Sequence, residues 1–198
     1  MNVIESDKLV LSRRGLIAGG AALLAPFPRL ASASELKLND DGLYTKPWFL
    51  ESLLDLSDDL KEAGDKGKRL VVIWELKGCP YCKKMHEINL ADPAIETFIK
   101  DRFEVLQLNI IGSREVTDFD GEKLTEKRLA QKYGVRYTPT FQFFPEDASG
   151  LGKKAPRDRE VARTQGYMEP KPFLALFRFV AERAYEKGNL SDFVKSKS

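Results

Sequence analysis

The chain has few of the residues that build disulfide frameworks and metal centres: two cysteines, one histidine and three methionines in 198 residues. Two cysteines allow one disulfide, which excludes a scaffold stapled by several bridges. A closed zinc site takes about four ligands. Cys79, Cys82 and His86 supply three, so half of a zinc site would need a carboxylate to complete it, and no metal is expected. Long apolar runs are missing as well. The mildly apolar residues 15–25 stop at Pro26, Pro28 and Arg29, short of the roughly 20 residues that span a bilayer, so no stable membrane anchor is expected. Excess charge of one sign is also absent. Lysine and arginine number 32 against 30 acidic residues, and setting aside Lys8, Arg13, Arg14 and Arg29 with Glu5 and Asp7 leaves 28 of each after residue 33. No basic stripe remains for nucleic acid or an anionic membrane surface.

With 42% apolar and 31% charged residues, the rest has the balance of a soluble globular protein, and its length predicts one domain. Residues 1–33 differ: Ser12-Arg13-Arg14-Gly15-Leu16-Ile17 precedes the apolar run, and Ala31-Ser32-Ala33 offers a small-residue cleavage site. The segment resembles a twin-arginine export signal; ordinary Sec export and a plain N-terminal arm are the alternatives. The expected organisation is an export signal over 1–33, a linker over 34–46, one domain over 47–190 and a flexible tail over 191–198.

Apolar residues at helical spacing predict a helix over 47–63, with a turn at Gly64-Asp65-Lys66-Gly67. The β-branched run 70–74 predicts a strand buried on both faces, as in a parallel or mixed sheet covered by helices. Cys79 follows as a helix cap, with Pro80 in the first turn and a helix over 81–90. Asp92 and Pro93 restart a helix to about residue 101, and 103–109 alternates as a strand. Residues 110–123 read as a long connection or a small hairpin. A helix over 124–133 stops at Gly134, strands are expected over 140–144 and 163–167, and an amphipathic helix over 172–187 closes an α/β fold.

Cys79-Pro80-Tyr81-Cys82 is the feature that carries chemistry. A bridge between residues three apart closes almost no loop and stabilises little, so reactivity explains the pair better than stapling. Thiol-disulfide exchange needs a thiolate. Cys79, at a helix start, gains from unpaired N–H groups and the helix dipole, with Lys77, Lys83 and Lys84 nearby in sequence. Cys82, one turn deeper, is the resolving thiol, and the two form the disulfide in the oxidised state. Glu75 shares a strand face with Ile73. It is either the proton acceptor for Cys82 or a strand-end carboxylate paired with Lys77. His86, four residues after Cys82, is read as a solvated helix residue in preference to a proton carrier or copper ligand.

Trp74-Glu75, then Gly78-Cys79-Pro80-Tyr81-Cys82-Lys83-Lys84-Met85-His86, and later Tyr133-Gly134-Val135-Arg136-Tyr137-Thr138-Pro139-Thr140, resemble the thioredoxin superfamily over residues 45–187. Within it the chain is similar to periplasmic thioredoxins of the SoxW type and, more distantly, to disulfide-bond isomerases. The resemblance implies a thioredoxin fold, a central mixed sheet flanked by helices. It also implies that Pro139 is a cis-proline facing the cysteines and that Thr138 pairs with an extended substrate, beside Pro80 and Tyr81. Thr-Pro-Thr alone would also serve as a turn and strand start. The chain departs from thioredoxin at two positions: Gly78 replaces the tryptophan before the motif, and Ile73 replaces the buried acid six residues before the first cysteine.

The expected function is that of an exported, periplasmic bacterial thiol-disulfide oxidoreductase without cofactor. It would act as a monomer on disulfides and thiols of partner proteins in a sulfur-oxidation or cytochrome c maturation context, with a membrane thiol transporter as electron donor. A disulfide oxidase or isomerase would use the same residues, and a copper chaperone would use Cys79, Cys82 and His86.

Overall fold

A computed structural model of the chain describes residues 36–196; the expected export segment lies outside the described residues. The first described residues form an antiparallel hairpin, β1 (Lys37–Leu38) and β2 (Tyr44–Thr45), where a linker was expected. Asn39 shapes its turn by accepting the Leu43 N–H on Oδ1 at 3.0 Å, and Leu43 is buried.

The helix expected over 47–63 starts later, as α1 (Leu56–Asp65). Leu54 has a φ of +64°, which no helix accommodates, and the Asp55 carboxylate caps the helix by accepting the N–H groups of Ser57 and Asp58. Before it the chain lies irregularly beside the sheet, with the Leu50 N–H donating to the Val105 carbonyl at 2.8 Å. The capping aspartate overrides the apolar spacing upstream.

Strand β3 (Arg69–Glu75), α2 (Pro80–Lys84), a π-helical turn at Met85–Asn89, α3 (Pro93–Arg102) and β4 (Phe103–Asn109) follow in order. Asp92 caps α3 as its sequence predicts. Residues 110–123 contribute most of a hairpin, β5 (Glu115–Thr117) with β6 (Lys123–Thr125), and α4 (Glu126–Lys132) starts from it with Thr125 as cap. Buried Asp118 anchors the hairpin: it accepts the Tyr133 hydroxyl at 2.7 Å and pairs with Arg159 at 2.7 Å and Lys132 at 2.5 Å.

β7 (Thr140–Phe143), β8 (Ala162–Gln165) and α5 (Pro170–Ala181) complete the main layers. The single helix expected over 172–187 ends early, because Arg183 adopts a φ of +55°. One 3₁₀ turn (Ala184–Glu186) follows, and α6 (Leu190–Ser196) then occupies most of the expected flexible tail. Phe193 stacks edge-on against Phe179 at 5.4 Å, which gives this helix an apolar reason to form.

The main sheet runs in the order β4-β3-β7-β8, with β3 parallel to β4 and antiparallel to β7. This is the thioredoxin fold, a mixed sheet with helices on both faces. Every residue of β3 is buried, and alternation splits them between two cores. Val71 and Ile73 pack under α3 and α5 with Phe141, Phe143 and Phe177. Leu70, Val72 and Trp74 pack under α1 and α4 with Leu60, Leu129 and Tyr133.

Phe177 meets the rings of Phe103, Phe141, Phe143 and Phe173 at centroid distances of 5.0 to 5.8 Å. Truncating it leaves a cavity where four aromatic partners converge. Phe177→Ala is expected to lower unfolding free energy by about 3–5 kcal/mol, read as a lower urea midpoint.

Candidate active site

Strand β3 ends at Glu75, and the chain leaves the sheet through Leu76, Lys77 and Gly78. Gly78 has a φ of +76°, a conformation that an L side chain adopts only with strain. That turn delivers Cys79 as the cap of α2, in extended backbone conformation, with Pro80 in the first helical turn.

Two donors converge on the Cys79 sulfur: the Cys82 N–H at 3.1 Å and the Thr138 hydroxyl at 3.3 Å. Its thiol also lies 3.5 Å from the Thr138 carbonyl oxygen, an available acceptor when the sulfur is protonated. The Thr138–Pro139 peptide is cis. The loop between α4 and β7 therefore faces the cysteine helix directly. Tyr81 and Tyr137 flank this contact with 58% and 63% of their surface exposed.

The two cysteines are unbonded thiols with unequal access: Cys79 retains 7% exposure and Cys82 none. Burial pushes the Cys82 thiol well above its ordinary pKa, and the Glu75 carboxylate and Cys79 add to the rise. Cys82 therefore stays protonated through the neutral range until a base takes its proton.

Glu75 is the nearby carboxylate, and its setting differs from the strand-end pairing considered with Lys77. It is fully buried. Its Oε1 lies 2.9 Å from His86 Nε2 and accepts the Gln107 amide at 3.0 Å. The Lys77 stem instead lies against Gly42. His86 corrects the sequence reading, since it is buried rather than solvated. The π-helical turn and the packing of Tyr44 and Phe49, each with its ring centroid 5.9 Å from the imidazole, hold it inside. Lys83 and Lys84 point to other partners, Glu87 at 3.5 Å and Glu169 at 3.1 Å.

Sequence reasoning missed the inward direction of His86 and the part played by Gln107. Signals for both were present: His86 shares a helical face with buried Cys82, and Gln107 shares a strand face with core Val105 on β4. Among the described residues, no group of three or more histidine, cysteine or acidic side chains is placed to hold a metal ion. No helix among them is long and apolar enough to cross a membrane. A cleft of about 920 Å³, lined by Asp58, Lys61, Arg69, Arg102 and Glu146, lies at the other end of β3 and touches none of the cysteine site.

A family model described as Thioredoxin-like domain matches residues 56–181. Among solved structures, a thioredoxin-fold protein from Helicobacter pylori is 22% identical, with 76% of this chain and 91% of that chain covered and a TM-score of 0.58. A thioredoxin from Thermus thermophilus is 26% identical, covering 68% and 90% of the two chains at a TM-score of 0.49. The oxidised C-terminal domain of DsbD from Neisseria meningitidis is 16% identical, covering 62% and 86% at a TM-score of 0.41. No curated protein matches the chain.

The unequal burial makes a direct prediction. Iodoacetamide at neutral pH is expected to label Cys79 and spare Cys82, as read by peptide mass spectrometry of the reduced protein. Equal labelling would contradict the assignment of a reactive outer and a protonated inner thiol.

Proposed function

Because the chain belongs to the thioredoxin-like domain family, we propose that it performs dithiol-disulfide exchange through Cys79 and Cys82, reducing disulfides of partner proteins. The observation that carries this reading is the arrangement around Cys79: a sulfur with two hydrogen-bond donors, beside a cis-proline loop, with a buried thiol one turn behind it.

Cys79 as thiolate attacks one sulfur of a partner disulfide, and the other partner sulfur leaves with the bonding electron pair and takes a proton. The Cys79–partner mixed disulfide is then attacked by Cys82, whose proton passes to Glu75. The Cys79–partner bond breaks as the Cys79–Cys82 bond forms, so the chain is oxidised by two electrons and the partner is released reduced. Pro80, Tyr81, Thr138 and Pro139 form the surface an extended substrate segment would meet, with Tyr81 supplying apolar area.

The finer reading places the protein in a bacterial periplasm, exported by residues 1–33, acting as a monomer of the SoxW type and recharged by a membrane thiol transporter. Its partners would be proteins of sulfur oxidation or cytochrome c maturation. The N-terminal arginine pair and the motif resemblance support this reading, and a dithiol mechanism needs no cofactor.

Two measurements test the proposal. Cys82→Ser should leave partners covalently held on Cys79, and mass spectrometry of the trapped complexes should name them; an absence of trapped protein counts against exchange with protein substrates. The reduction potential of the Cys79–Cys82 pair in dithiothreitol or glutathione buffers sets the direction. A value near about −270 mV fits a reductant, and one near about −120 mV marks a disulfide-forming oxidant instead.

A further inference from the structure

Two bare acceptors are buried together behind the cysteines. Glu75 Oε2 and His86 Nδ1 are inaccessible and have no hydrogen-bond partner among the described residues, while their other atoms, Oε1 and Nε2, face each other at 2.9 Å. Gln107 also donates to Oε1, and its amide nitrogen reaches the Tyr44 carbonyl at 2.6 Å. With Glu75 ionised, this geometry puts the imidazole proton on Nε2 and leaves Nδ1 as an unused base. An unpaired buried polar atom is costly, and this cluster contains two.

The groups that face His86 are few. Glu75 comes from β3, Tyr44 from β2, Gln107 reaches Glu75 from β4, and Cys82 stands one turn back on its own helical run. At the start of α5, Glu169 is engaged by Lys84, and Lys46 beyond β2 interacts with Glu96. The neighbouring group with a proton to lose during exchange is Cys82.

We propose that Glu75 and His86 act as one buried proton store for Cys82, with His86 as the positioning residue that fixes the carboxylate and supplies the second basic site. This deepens the exchange function proposed above and rests on it. When Cys82 attacks the mixed disulfide, its proton enters the pair, which passes from a net charge of −1 to neutral; the Cys82 electron pair forms the new S–S bond, and the partner leaves with the electrons of the old one. A lone carboxylate at this fully buried position would carry its charge with only the Gln107 amide as side-chain donor. The imidazole gives that charge a partner before transfer and a second site for the proton after it. Once the disulfide has formed, the proton returns to water, and reduction of the pair takes one up again. Proton binding at His86 and the redox state of the cysteines are thereby coupled, and the coupling is reciprocal.

Stopped-flow reaction of the reduced full chain with a nitrobenzoate disulfide separates the steps. The first release of aromatic thiol reports Cys79, and the second, independent of reagent concentration, reports attack by Cys82. For His86→Gln the second release should fall on the order of tenfold at pH 6.5, a modest share of the range for general base catalysis, and approach the wild-type rate by about pH 9, where hydroxide removes the proton directly. An unchanged profile, or one slowed equally at every pH, overturns the proposal. No second release in the wild type would instead overturn the exchange reading itself. His86 is the sole histidine, so its ring resonances are a direct readout without substitution, should the variant not fold. Their pH titration in the wild type should differ between the dithiol and disulfide forms; identical ring behaviour in both forms overturns the proposal.

Discussion

Strand β3 has no solvent face, and this constraint organises the molecule. Its seven residues divide between two cores, which fixes the register of the strand, because a slip of one residue would exchange the residues of the two faces. Register in turn fixes where the strand ends. Glu75 comes to rest on the Ile73 side, under the helical run that carries Cys82 and His86, and Cys79 reaches the cis-proline loop that leads into β7. The pairing of Trp74 with Thr140 ties both halves of the site to one sheet. Trp74 also donates its indole N–H to the Gln142 side chain, which ties the strand end to β7 a second time.

Reactivity at this site comes from a difference in environment between two identical side chains. Cys79 caps a helix at the surface and receives hydrogen bonds on its sulfur; Cys82, three residues later, is sealed among apolar atoms beside a carboxylate. The first environment suits a charged sulfur and the second a neutral one. A single helical turn produces both, because position along a helix end decides access to free N–H groups while the face decides burial. The carboxylate at the end of β3 takes the place that Ile73 leaves without an acid, one residue pair further along the same strand face.

The anchoring of the peripheral segments follows a different logic. The β5–β6 hairpin sends Val116, Phe119 and Leu124 into the core under α1 and α4 and is held in addition by the buried ion pairs of Asp118 with Arg159 and Lys132. Removing one member of such a network leaves an uncompensated buried charge, which is costly. The C-terminal helix instead uses Phe193 against Phe179. Neither segment reaches the cysteines.

The amino-acid sequence determined the α/β layout, the central strand, the capped helix after Asp92 and the reactive pair, because each rests on local signals: β-branched runs, capping residues, and two cysteines one turn apart. The start of α1 was less legible, since the left-handed Leu54 leaves no mark in the apolar spacing. The helix at 190–196 depends on a distant ring and could not be read locally. Only the tertiary structure decided the surroundings of Glu75 and His86. Their pairing joins residues eleven apart across a strand and a helix and adds Gln107 from a neighbouring strand. Whether a polar side chain meets water or a buried partner is settled by what packs over it, and that comes from the whole chain.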